Sequence, residues 1–73
     1  MPVFHFRTHP GDVVSEPMRL ADAEAARQEA HGTFADFARS IAASVEVNAP
    51  WSVEVLSDEG KLLYRITVTA EAL

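Results

Sequence analysis

The chain is predicted to fold as an α+β domain of order β-β-α-β-β, a four-stranded, mostly antiparallel sheet with one long helix across one face. Three observations predict this. There are two short strand-like runs at the amino end, one long stretch of apolar residues recurring at helical spacing, and a closing pair of strand-like runs around an Asp-Glu-Gly turn. The 73 residues form a single small domain, close to the size at which apolar burial barely offsets the loss of chain entropy.

From Val3 to Thr8, Phe4 and Phe6 alternate with Val3, His5 and Arg7, the period of a half-buried strand whose aromatic face is the core face. His9-Pro10-Gly11-Asp12 supplies a fixed φ and then a residue free to take positive φ, as a type II turn demands. A second strand around Val13 and Val14 should return antiparallel to the first. Glu16 to Leu20 reads as a connection, because Pro17 has no N–H for a sheet ladder and restricts the residue before it.

Asp22 is the expected N-cap of the helix, with Glu24 in the first turn complementing the positive end of its dipole. Ala23, Ala26, Ala30, Phe34, Phe37, Ala38, Ile41 and Val45 recur at spacings of three and four and form one stripe. The expectation is a single helix from Ala23 to about Val45, with Gly32 as its weak point and Asn48-Ala49-Pro50 as its stop. Strands from Trp51 to Leu56 and from Lys61 to Val68 then form a hairpin. They are joined by Ser57-Asp58-Glu59-Gly60, a type I turn with glycine placed for a G1 bulge. A right-handed crossover gives the spatial order 2-1-3-4 for the four strands. The order 2-1-4-3 stays open, because Leu62, Leu63, Tyr64 and Ile66 give the last strand the apolar content of a central position.

Composition narrows the function. A net charge of −5, from 11 acidic and 6 basic side chains, argues against nonspecific nucleic-acid binding, which needs a surplus of Lys and Arg. Without cysteine there is neither a disulfide nor a thiolate metal site. The amino end lacks the pattern of a signal peptide, and no apolar run approaches the ~20 residues that cross a bilayer, so a cytoplasmic protein without membrane attachment is expected.

Three segments carry a resemblance to a known family. They are the opening Met1-Pro2-Val3-Phe4-His5-Phe6, the helix start Asp22 to Ala30 with its Asp-x-Glu-Ala-Ala-Arg-x-Glu-Ala pattern, and the hairpin Trp51 to Val55 with the turn Asp58-Glu59-Gly60. In these the chain resembles a family of very short bacterial proteins that form a domain of unknown function. The resemblance covers nearly the whole chain and implies a fold. It implies no activity and brings no catalytic residues with it.

The residues themselves show no nucleophile elbow, no phosphate-cradling glycines and no metal-ligand spacing, so neither an enzyme nor a cofactor is expected. His5, Arg7 and Arg65 could make a small anion or carboxylate site on the sheet face opposite Phe4 and Phe6, since arginine forks match such groups. The preferred use of Arg7 and Arg65 is cross-strand pairing with Glu54 or another acidic neighbour. His5 and His9 lack a third ligand and a fixed geometry, so no metal is assigned to them.

A helix of about 23 residues would be ~35 Å long, whereas strands of six or seven residues span ~20 to 23 Å, leaving an overhang for a partner to cover. Phe34, Phe37, Ile41 and Val45 on the second half of the helix, with Leu56 and Leu63 on the second sheet face, are the candidate interface residues. The expected protein is therefore a small non-enzymatic interaction or regulatory module, homodimeric, with an unidentified protein partner and no nucleic acid or membrane. The alternative is a small-ligand or anion-binding domain using the polar sheet face.

Overall fold

A computed structural model describes residues 1–73. In chain order the elements are β1 (Val3–His9), β2 (Val13–Val14), β3 (Met18–Arg19), α1 (Ala23–Asp36), α2 (Ala38–Ser44), β4 (Trp51–Ser57) and β5 (Leu62–Val68). The strands form one sheet of order β2-β1-β4-β5, with β3 also paired to β1 and every pairing antiparallel. In the four-strand numbering used above this is the order 2-1-3-4.

The fifth strand is a departure from expectation. Pro17 does lack a donor, but it sits just before the pairing begins, and Met18 and Arg19 pair with Phe4 and Val3. Because β2 pairs with the other end of β1, at Arg7 and Thr8, β2 and β3 together make one interrupted strand along a single edge. Ser15 bridges the gap: its N–H donates to the Phe6 carbonyl at 2.8 Å, and its hydroxyl accepts from the Phe6 N–H at 3.1 Å. In the loop before β2 the His9–Pro10 bond is cis, and both Gly11 and Asp12 take positive φ, so it is not the simple type II turn read from the sequence.

Asp22 caps α1 as expected, its carboxylate accepting from the Ala25 N–H at 2.9 Å. The single long helix does not form. α1 stops at Asp36, and Phe37, at φ −113° and ψ 17°, joins it to α2, whose first carbonyl comes from Phe37 itself. The break falls five residues beyond Gly32, which lies undisturbed within α1 with open space where a side chain would start. Fourteen residues of helix are about 21 Å long and match the ~23 Å of a seven-residue strand. α1 by itself therefore leaves no overhang beyond the sheet. Asn48 does adopt the left-handed conformation, φ 67°, but in a turn between Glu46 and Ala49 past the end of α2.

The core is small: Phe4, Phe6, Val53 and Val55 from the sheet against Ala26 and Ala30 from α1, with Leu20, Trp51, Tyr64 and Ile66 packed around them. Two fully buried alanines let α1 lie close on β4 and β5. At the hairpin tip the Gly60 N–H donates to the Ser57 carbonyl at 2.9 Å and Gly60 has φ +86°, which is the expected type I turn with a G1 bulge. One further irregularity follows it. Leu56 faces Leu62 while Val55 faces Tyr64, so Leu63 is an extra residue in β5.

Candidate functional site

Register builds the polar face. Arg7, Glu54 and Arg65 are direct cross-strand partners on β1, β4 and β5, so three consecutive strands place them in one row. Side chains alternate along a strand, so this row faces away from the helices, together with His5 and His9. Although no helix covers this face, Glu54 is only 2 % exposed. The basic side chains close over it.

Arg7 donates through Nε to Glu54 Oε1 at 2.7 Å, and His9 Nε2 lies 2.8 Å from the same oxygen. Arg65 donates through Nε at 2.9 Å and Nη2 at 2.7 Å to Oε2, a bidentate grip on one oxygen. Hydrogen bonds from His9, Arg65 and Arg7 outweigh the cost of desolvation and hold the Glu54 carboxyl down from 4.5 to about 2. His9 is itself held from both sides, since its Nδ1 contacts the Asp12 carboxylate.

Of the three residues expected to share an anion site, Arg7 and Arg65 come together around Glu54. His5 instead contacts the hairpin turn, with Nε2 3.2 Å from Asp58 Oδ1. His9 joins the cluster without having been assigned to it. The signal was parity: His5, Arg7 and His9 share a face if β1 runs one residue past Thr8, as it does. His31 donates to or accepts from the Tyr64 hydroxyl at 2.8 Å, and the Arg27 guanidinium lies over the Tyr64 ring at 5.9 Å, so Arg27 packs along the edge of the core. No three His, Asp or Glu side chains converge as metal ligands do.

The expected interface residues divide. Ile41 is 3 % exposed and Leu56 7 % exposed, so the chain's own packing takes up both and neither is free to meet a partner. Leu56 sits on the polar face between His5 and Leu62 in register. Phe34 and Val45 are half-buried, Phe34 tilted against Trp51 with ring centroids 6.2 Å apart. Phe37 is 59 % exposed at the helix break, and Leu63 is exposed on β5.

The helices leave the inner face of the sheet open on the side of β2 and β3. Two cavities lie there, one of about 350 Å³ between Phe37, Ile41 and Trp51, the other of about 190 Å³ over Phe6, Val13 and Met18. They share Thr8 and Thr33 and so form one groove, with Glu29 as its single charged lining residue. A third cavity, about 420 Å³, is a notch between Glu46, Asn48 and Glu71 near the carboxyl end and has no basic or aromatic lining.

The profile of the family described as Domain of unknown function (DUF6894) matches residues 3–69, from the start of β1 to the residue after β5. The chain belongs to this family. The match spans both the Glu54 cluster and the open groove, so each is part of the DUF6894 domain proper. No curated protein and no solved structure matches the chain. No helix in this DUF6894 domain is long and apolar enough to cross a membrane.

Proposed function

We propose that the chain is a small non-enzymatic interaction module, homodimeric, that receives a segment of a partner protein in the groove left open by the two helices. The observation that carries this reading is the exposed apolar surface along that groove. Val13 is 65 % exposed, Phe37 59 % and Met18 37 %, side by side with the two cavities. A monomer rarely leaves large apolar side chains grouped around a concavity unless something covers them. Glu29 on the rim favours a partner segment with one or two large apolar side chains next to a basic one.

Self-association is supported by the size of the core. Only 9 of the 73 residues are buried, and a core of that size leaves little stability to the isolated chain. The non-enzymatic reading is supported by the state of the one buried acid. A carboxyl held near 2 and gripped by three basic groups is a poor proton acceptor near neutrality.

A photoreactive residue in place of Phe37 should cross-link in native cells to a protein partner, whereas the same residue at Gln28 should not. Equal adducts at both positions would contradict the groove. A second reading, anion binding on the polar face, is favoured by one observation: Arg7 commits one N–H and Arg65 two to Glu54, and the rest of each guanidinium reaches solvent. A rise in melting temperature with phosphate or citrate that Arg7→Ala abolishes would select it.

A further inference from the structure

The two edges of the sheet differ. Along β1 the edge is two strands of two residues each, interrupted by Ser15-Glu16-Pro17, and a broken edge with a proline is a poor template for another strand. The other edge is β5, seven residues paired only with β4 and containing no proline. Its inner-face residues Tyr64, Ile66 and Val68 are half-buried, the first two packed against the core beneath α1, and Leu62 and Leu63 are exposed.

We propose that β5 pairs antiparallel with β5 of a second copy about a two-fold axis at Ile66, joining two five-stranded sheets into one. This rests on the self-associating part of the reading above and assigns its seam. With the axis at Ile66, Ile66 meets Ile66 and Tyr64 meets Val68 in both directions, an apolar ladder on the inner face. On the outer face Arg65 meets Thr67. An axis at Arg65 would set two guanidinium groups opposite each other, a pairing that costs stability. An axis at Tyr64 would carry the irregularity at Leu63 into the seam. The contact is isologous and closes at two copies, with both interrupted edges facing outward.

The seam is small. With the axis at Ile66, β5 faces β5 over the five residues Tyr64 to Val68, about 17 Å, and the molecule is 20 × 19 Å in section. The flank therefore offers roughly 340 Å² per copy, less than the ~800 Å² of a standard interface. The dimer should form at micromolar concentrations and dissociate on dilution.

The chain has no cysteine, so a single introduced thiol reports the seam cleanly. Opposite residues of an antiparallel pair lie about 4.5 to 5.5 Å apart at Cα, inside the range a disulfide spans. Mild oxidation of Ile66→Cys should give several-fold more covalent dimer than Thr67→Cys, whose opposite residue is Arg65, or Val13→Cys on the other edge. The unmodified chain supplies the control for folding, since its β5 amides should gain hydrogen-exchange protection as concentration rises while those of β2 do not. A dimer in sedimentation that cross-links best through Val13→Cys, or shows no such gain at β5, would overturn this seam and leave self-association intact. A monomer at every concentration would overturn both.

Discussion

Replacing Glu54 with glutamine removes one charge from beneath Arg7, Arg65 and His9 while keeping the shape of the side chain. In the native chain the carboxyl is held from 4.5 down to about 2. At about 1.36 kcal/mol per pH unit this difference corresponds to roughly 3 kcal/mol of stability at neutral pH. Both guanidinium groups reach solvent, which screens their interaction, so a loss of about 2 to 3 kcal/mol is expected for Glu54→Gln at pH 7. A domain of this size has on the order of 4 to 11 kcal/mol in total, so the change is large.

The sign of the pH effect follows from the depressed value. The contribution is complete above the unfolded value near 4.5, falls as pH drops from there towards 2, and is gone below 2. Urea denaturation followed by circular dichroism should show native chain and variant well separated at pH 7 and converging by pH 2. Taking the difference between the two cancels the titration of the other carboxylates. A gap of the same size at pH 7 and pH 2 would refute the electrostatic origin, and no gap at pH 7 would remove Glu54 as the organiser of the polar face.

The helix break separates two residues that a continuous stripe would treat alike. Ile41→Ala should cost ~2 to 4 kcal/mol and Phe37→Ala less than about 1, by chemical denaturation, and equal losses would contradict the break at Phe37. Gly60→Val forces a β-branched residue to φ +86° and should lower the melting temperature by an amount equivalent to ~1 to 3 kcal/mol, while an unchanged transition would remove the G1 bulge. Asp22→Ala deletes the cap on the Ala25 N–H and should cost ~1 kcal/mol in the same assay, with no change ruling the cap out as a contributor.

Local chemistry made much of this fold legible. Asp22, Gly60 and the alternation of Phe4 and Phe6 act over a few residues, and each sits where the sequence pattern puts it. The break at Phe37 was hidden because Phe34, Phe37, Ala38 and Ile41 keep helical spacing across it, so a one-residue kink leaves no gap in the stripe. β3 was hidden for a different reason, since two residues cannot show an alternation. The Glu54 cluster was half visible. Cross-strand pairing of Arg7 and Arg65 with Glu54 follows once β1, β4 and β5 are neighbours, but burial of the carboxylate beneath them, and the share taken by His9, depend on a register set across 45 residues of chain.

The central claim is that this chain works by association, and sedimentation equilibrium across a concentration series tests it most directly. The account predicts a monomer–dimer equilibrium in the micromolar range, with a melting temperature that rises with concentration because folding and assembly are linked by mass action. A single monomeric species with a concentration-independent transition would contradict it.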